Sequence, residues 1–205
     1  MNKFLCVMGV LKTEKGLLIK DRISNYLNKN FDILYIEQDP PGVLYEFPAL
    51  ISTIKLAIEM NEPVLYIHTK GASDPNNMWY QKPVKKLWEL EFGTEKLFDN
   101  YDKALGDTPK IVCPLRGPKK ETWYNGFIIN PEAAKILKNI IKTPEQLKDS
   151  NKNISANSRY YYECFMCSNT SIQIISTSYS NSLKKGKELD NKLKQLTENL
   201  PDIDY

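Results

Sequence analysis

The chain has 205 residues, enough for one sizeable hydrophobic core and short for two full domains. Apolar residues make up 41% and charged residues 26%, a balance typical of globular proteins. The net charge of +3 is too small, and the lysines are too scattered, to indicate nucleic-acid binding. An anionic small molecule stays open as a ligand.

The N-terminal segment "MNKFLCVMGVLKTEKG" has a short apolar stretch and lacks the small-residue cleavage site of a secretory signal. No segment approaches the roughly 20 apolar residues that a membrane-spanning helix needs. We therefore expect a cytoplasmic protein without a transmembrane segment. Peripheral contact with the face of a membrane stays open.

The four cysteines fit a reducing compartment. Cys164 and Cys167 form a lone CxxC pair without the second pair that a typical zinc site needs. Cys6 and Cys113 lie in apolar segments that predict strands, where a free cysteine packs as a small hydrophobic residue. We therefore favour packing over zinc binding or redox chemistry.

The first third of the chain alternates between strand and helix patterns. Strands are predicted at 4–11, 31–39 and 63–70, and helices within 12–30 and 46–60. This alternation predicts parallel strands joined by right-handed crossovers, with helices on both faces of the sheet. In such sheets ligands bind beyond the carboxyl ends of the strands, which here are Glu37–Asp39 and His68–Lys70.

The rest of the chain carries further elements separated by polar segments. They are, in order, a long helical region at 78–105 with a break at Gly93, strands at 109–117 and 122–130, a helix at 131–142, a short helix at 159–169 and a strand at 171–178. A charged helix with a thin apolar stripe ends the chain. We place the main domain at 1–178 and the C-terminal helix and tail at 179–205.

The only histidine, His68, stands where the third predicted strand ends, and Lys70 and Gly71 follow closely. An imidazole, an ammonium group and backbone N–H groups gather there, and the glycine allows a ligand to approach the backbone. These groups suit diphosphate oxygens, and the imidazole alternatively suits a divalent metal. The competing interpretation is a structural histidine with Lys70 in solvent.

Three segments carry a resemblance to a known family and occur in the same order as in that family. They are "VLYIHTKGAS", "TWYNGFIINPEAAKIL" and "RYYYECF". They resemble segments of small predicted glycosyltransferases with an HTKG motif, from bacterial and algal-virus polysaccharide pathways. The resemblance implies a single GT-A-like, Rossmann-like α/β domain with a mixed, mostly parallel central sheet flanked by helices. It also implies a nucleotide-sugar donor and Mn²⁺ or Mg²⁺.

The chain departs from the pattern of this family at two points. GT-A-like enzymes usually carry an Asp-x-Asp where this chain has "YIHTKG", and its only Asp-x-Asp is in the tail, at Asp202 and Asp204. Asp74 is the candidate metal ligand near the motif, and metal dependence stays open. Ile128 and Ile129 replace an aromatic pair of the family, which predicts different acceptor contacts.

Asn125 and Gly126 allow two interpretations. As an Asn-Gly pair they are typical of a tight hairpin turn. As part of a continuous strand they bring the asparagine and the glycine backbone against a sugar, and we favour this because the strand pattern continues directly into Phe127. Trp123 and Tyr124 are the candidates for stacking on an acceptor.

Glu163 is the candidate catalytic base. In inverting transfer a carboxylate accepts the proton of the attacking hydroxyl, and partial burial raises its pKa toward a useful range. The resemblance implies this position for the base, and the alternative is a capping or surface glutamate. Arg159 pairs either with Glu163 or with a phosphate group.

Together these patterns lead to one hypothesis and two rivals. The hypothesis is a hexosyltransferase-type glycosyltransferase that moves a sugar from a UDP-, GDP- or dTDP-sugar to a glycan or lipid-linked acceptor. Its donor contacts His68, Lys70 and Gly71 through the diphosphate or sugar, and Asp39 through the base or ribose. One rival is a non-catalytic nucleotide-sugar-binding module of a larger assembly. The other is a phosphate-handling hydrolase, which the lack of a P-loop or GxSxG motif disfavours.

Overall fold

The structure, a computed structural model, describes residues 3–40, 47–69, 72, 96–113, 115–116, 122–123, 126–139 and 171–176. The strands in these ranges are β1 (Phe4–Leu11), β2 (Phe31–Gln38), β3 (Val64–His68), β4 (Lys110–Cys113), β5 (Leu115–Arg116), β6 (Thr122–Trp123), β7 (Phe127–Ile129) and β8 (Gln173–Ser176). The helices are α1 (Glu14–Leu27), α2 (Phe47–Met60), α3 (Lys96–Ala104) and α4 (Pro131–Lys138).

A six-stranded sheet forms the centre of the fold, in the order β2-β1-β3-β7-β4-β8. β1 is parallel to both β2 and β3, and β4 is parallel to β8, whereas β7 runs antiparallel to β3 and β4. Buried residues of α1 and α3 pack on one face of the sheet, and those of α2 and α4 pack on the other. The predicted α/β fold with a mixed, mostly parallel sheet flanked by helices is confirmed.

The burial of each strand follows from its place in this sandwich of helices and sheet. All residues of β3 are buried, and β1 is buried from Cys6 to Val10, because helices cover both faces of these central strands. β2 lies at the edge of the sheet and exposes Asp32, Leu34 and Glu37. Apolar runs without alternation therefore mark the central strands β1 and β3.

Two of the cysteines test the prediction of packing. Cys6 and Cys113 are buried free thiols in β1 and β4, and burial raises the pKa of the Cys6 thiol. The prediction is confirmed for these two residues. Cys164 and Cys167 lie outside the described residues.

The predicted strand at 122–130 is wrong in one respect, because it forms two strands in two different sheets. β6 pairs antiparallel with β5, with Trp123 and Leu115 as register partners, whereas β7 enters the main sheet between β3 and β4. The three residues of β7 are all buried, since both neighbouring strands and helices on both faces enclose them. The described pairings also do not join β6 to β7 as a tight hairpin.

Other predicted elements are partly or wholly outside the described residues. The described part of the helical region at 78–105 is α3, and the helix predicted at 131–142 ends at Lys138. The short helix at 159–169 and the tail at 179–205 lie outside the described ranges, so the predicted boundary after residue 178 stays a prediction. In the part of the chain that is described, no helix has the length and apolar character needed to cross a membrane.

Asn130 joins three segments of the second half of the sheet. Its side-chain oxygen accepts hydrogen bonds from the backbone N–H of Ala133, at 2.9 Å, and of Lys110, at 2.9 Å. Its amide nitrogen donates to the carbonyl oxygens of Thr108, at 2.7 Å, and Gly106, at 3.2 Å. Asn130 therefore caps α4, as its position before Pro131 indicates, and also holds the loop between α3 and β4.

Candidate functional site

The order of the strands makes one edge of the sheet the candidate ligand site. From β1 the chain passes through α1 to β2 on one side, and from β2 it passes through α2 to β3 on the other side of β1. Because α1 and α2 cover opposite faces, the carboxyl ends of β1 and β3 flank a topological switch point. Ligands of open α/β sheets bind in the crevice at such a point.

Hydrogen bonds tie the ends of β1 and β3 together at this edge. The backbone N–H of Thr69 donates to the carbonyl oxygen of Gly9 at 3.0 Å, and the Thr69 hydroxyl accepts from the N–H of Leu11 at 3.2 Å. The Thr13 hydroxyl donates to the carbonyl oxygen of Ala72 at 3.3 Å and accepts from Gly16 N–H at 2.9 Å. The same Thr13 hydroxyl thus caps α1 and holds Ala72, which follows β3.

Two glycines, Gly9 and Gly16, allow the end of β1 to lie close to α1, α2 and β3. A Cβ atom on Gly16 would lie 1.9 Å from the carbonyl oxygen of Leu11, so the first turn of α1 sits directly against the end of β1. A Cβ on Gly9 would lie 3.0 Å from Cβ of Ala49 and 3.4 Å from Cβ of His68. Sequence reasoning missed both glycines, although a glycine just inside a helix that follows a strand is a usable signal.

His68 ends β3 and is buried, with 6% of its surface exposed. Its register partner in β1 is Gly9, and its side chain lies on the same face of the sheet as that of Tyr66. Nδ1 is 3.4 Å from the Tyr66 hydroxyl oxygen, the long end of hydrogen-bond range, and Nε2 is shielded from solvent. The structure therefore places the imidazole at the predicted edge of the sheet and buries it. Its contact with a ligand stays a prediction.

Asp39 follows β2 at the same edge and forms an ion pair with Lys12, which follows β1. The Lys12 Nζ to Asp39 Oδ1 distance is 2.9 Å, and the two side chains are 43% and 81% exposed. The hydrogen bond and the charge of Asp39 raise the pKa of Lys12. The carboxylate that we predicted to contact a base or ribose is therefore accessible and neutralised by a neighbouring lysine that the sequence did not single out.

A second ion pair lies beside the first. Lys20 of α1 donates to Glu37 of β2, with 2.8 Å between Nζ and Oε1, and its ammonium group lies 4.7 Å from the ring centre of Tyr35. The hydrogen bond from Lys20 and its charge lower the pKa of Glu37. The Tyr35 hydroxyl lies 2.9 Å from the Ser24 hydroxyl, so this pair is built into the packing of α1 on β2.

The remaining predicted site residues are distributed as follows. Gly126 is buried and directly precedes β7, whose Phe127 pairs with Tyr66 of β3. Since β7 is antiparallel, its amino end lies at the carboxyl edge of β3, which brings Gly126 to the same edge as His68 and Asp39. Trp123 is in β6 of the small sheet. Lys70, Gly71, Asp74, Tyr124, Asn125, Arg159 and Glu163 lie outside the described residues.

The described part of the edge does not form a metal site. Among the residues that the structure describes, no cluster of three histidine, cysteine or carboxylate side chains is placed to bind an ion. The carboxylates at this edge, Glu37 and Asp39, each bind a lysine. The requirement for Mn²⁺ or Mg²⁺ therefore stays a prediction that depends on Asp74.

Comparisons with known proteins add no family to these observations. No protein-family model, no curated protein and no solved structure matches the chain. A functional proposal consequently depends on the fold, on the chemistry of this edge and on the resemblance of the three sequence segments.

Proposed function

We propose that the protein is a glycosyltransferase that binds a nucleotide-sugar at the carboxyl edge of β1 and β3. The observation that carries the proposal is the switch point itself, at the edge of the sheet that also holds buried His68, accessible Asp39 and the amino end of β7 at Gly126. A mixed, mostly parallel sheet of this kind is also what the resemblance to GT-A-like enzymes requires. Open α/β sheets bind nucleotides at such edges.

The proposed roles follow the position of each residue along the edge. Asp39, at the outer strand, accepts hydrogen bonds from the ribose or base of the donor. Lys70 and Gly71, which follow His68, contact the diphosphate or the sugar, with a metal at Asp74 if one is needed. Asn125, Gly126 and Arg159 complete the donor side, and Trp123 and Tyr124 stack on the acceptor.

In this proposal Glu163 moves the proton. The acceptor hydroxyl oxygen attacks the anomeric carbon of the sugar, Glu163 accepts the hydroxyl proton, and the bond between the sugar and the nucleoside diphosphate breaks. The nucleoside diphosphate leaves with the bonding electron pair. The contribution of the described residues is to bind and orient the donor at the edge.

The test is the release of nucleotide from UDP-, GDP- and dTDP-sugars, with Mn²⁺, with Mg²⁺ and with a chelator, over a panel of glycan and lipid-linked acceptors. We expect release with one nucleotide class. Glu163→Gln should retain donor binding and lower transfer by about a hundredfold or more, the usual contribution of a positioned base. Unchanged transfer in Glu163→Gln rules out the base assignment, and no release from any donor rules out the transferase.

The second candidate function is a non-catalytic nucleotide-sugar-binding module. It is favoured by the lack of an Asp-x-Asp at the end of β3 and by the two ion pairs, in which both carboxylates at the described edge bind lysines. The same assay separates the two functions. A module binds the nucleotide-sugar in calorimetry and leaves it intact with every acceptor.

A further inference from the structure

The backbone of Lys12 is held more firmly than its place in a connecting loop predicts. Its N–H donates to the carbonyl oxygen of Gln38 at the end of β2, at 2.8 Å. The residue before it, Leu11, donates to the Thr69 hydroxyl, and the residue after it, Thr13, donates through its hydroxyl to Ala72. Lys12 therefore projects from a backbone that is fixed to both neighbouring strand ends at the switch point.

The ammonium group of Lys12, in contrast, is accessible and weakly held. Its partner Asp39 is 81% exposed, and exposed ion pairs contribute little stability because water competes for both charges. The Lys20 side chain is only 23% exposed and also contacts the Tyr35 ring, so that pair serves the packing of α1. Lys12 and Asp39 have no comparable packing role among the described residues.

We propose that Lys12 is a phosphate-binding residue of the donor site and exchanges Asp39 for the diphosphate when the nucleotide binds. The inference rests on the proposed function, because it takes a nucleoside diphosphate as the ligand. The exchange suits both partners: the ammonium group moves to phosphate oxygens, and the released carboxylate accepts hydrogen bonds from ribose hydroxyls. Asp39 neutralises Lys12 until a ligand supplies phosphate oxygens for the lysine and ribose hydroxyls for the carboxylate.

The position of Lys12 supports this chemistry. It lies between the end of β1 and the first turn of α1, the place where α/β nucleotide-binding folds hold a pyrophosphate. Asp39 lies at the end of the neighbouring strand β2, on the outer side, where such folds hold a ribose. A lysine ammonium group is charged at neutral pH without help from a partner, so Lys12 keeps its charge when Asp39 is exchanged for phosphate.

The chain offers a matched control for both residues. Lys3 and Asp32 form an ion pair across the same two strands at the opposite edge of the sheet, with 3.6 Å between Nζ and Oδ1. Their side chains are 44% and 69% exposed, close to the values of Lys12 and Asp39. Substitutions of Lys3 and Asp32 therefore remove the same charges from the same strands without touching the proposed site.

The first experiment measures the affinity of the full chain for UDP, GDP and dTDP by calorimetry. We expect Lys12→Met to lower the affinity for the nucleotide that binds by about tenfold, the effect of one lost charge-assisted hydrogen bond. Lys12→Arg should recover most of this affinity. Lys3→Met should bind as the wild type does. A Lys12→Met affinity within about twofold of the wild type, or an equal loss in Lys3→Met, overturns the inference.

The second experiment tests the exchange through the affinity for inorganic pyrophosphate alone, measured directly by calorimetry, because Asp39→Asn also removes the proposed ribose contact and would weaken a competing nucleotide. Asp39→Asn should bind pyrophosphate about threefold more tightly, because it frees Lys12 from an exposed ion pair, and Lys12→Met should abolish this gain in the double variant. Asp32→Asn should leave the affinity for pyrophosphate unchanged. Pyrophosphate that binds no more tightly to Asp39→Asn than to the wild type overturns the exchange.

The outcomes separate this inference from the proposed function. Binding that depends on Lys12 in a protein that releases no nucleotide from any nucleotide-sugar supports the inference and rejects the transferase. Transfer activity in a protein whose nucleotide binding does not depend on Lys12 supports the transferase and rejects the inference. A wild-type chain that binds none of the three nucleotides rejects both.

Discussion

Asn130 is a buried residue that stabilises the fold through four side-chain hydrogen bonds. Asn130→Ala takes away the N-cap of α4, worth about 1 kcal/mol. It also removes the hydrogen bonds to Lys110 N–H and to the carbonyls of Thr108 and Gly106, at about 1 kcal/mol each in a residue that is 0% exposed. We expect a loss of about 3 to 4 kcal/mol, a large part of the 5 to 15 kcal/mol typical of a domain.

The assay is urea unfolding followed by far-UV circular dichroism, with the slope of the transition compared between variants. Asn130→Ser keeps an oxygen that can cap α4 and should recover only about 1 kcal/mol. The matched control is Asn139→Ala at the other end of the same helix, where an exposed side chain makes one 3.3 Å hydrogen bond to the Lys135 carbonyl. That change should cost less than about 0.5 kcal/mol.

Two results would refute this reasoning. If Asn130→Ala destabilises the protein by less than about 1 kcal/mol, the three side-chain hydrogen bonds other than the cap contribute little to stability. If Asn130→Ser recovers nearly all of the loss, the bonds to the loop between α3 and β4 are not the source of the stability.

Three further predictions concern the candidate edge. Gly16→Ala should destabilise the protein by about 2 kcal/mol or more in urea unfolding, because its Cβ meets the Leu11 carbonyl at 1.9 Å; a stable variant refutes the contact. His68→Ala should reduce the rise in melting temperature that a bound nucleotide-sugar causes, and an unchanged rise makes the histidine structural. Lys20→Met should raise the pKa of Glu37, as followed by NMR titration, because it removes the ammonium group that lowers this pKa. In the wild type the ion pair stabilises the fold fully above the unfolded-state pKa of a glutamate. This stabilisation is lost as the pH falls through the lower folded-state pKa of Glu37.

Local pattern in the sequence determined the elements of the first half. β1 occupies the predicted span Phe4–Leu11, and α2 and β2 differ from prediction by a single residue at one end. These segments could be predicted because apolar residues recur with the period of a strand or a helix, and this period is a property of neighbouring residues. The same logic placed Asp39 and His68 at strand ends, and the structure has both at one edge.

The alternation of elements also predicted the parallel pairing of the first three strands, but the tertiary structure alone decided the order of the strands and the pairing of the second half. It inserted β7 antiparallel between β3 and β4, divided the segment "TWYNGFIIN" between two sheets, and joined Lys12 to Asp39 and Thr69 to Leu11 across the switch point. None of these contacts has a local signature, because strand order and pairing depend on residues far apart in the chain. The sequence determined which side chains stand where strands end, and the fold determined which of them meet, because only packing brings distant strand ends to one edge.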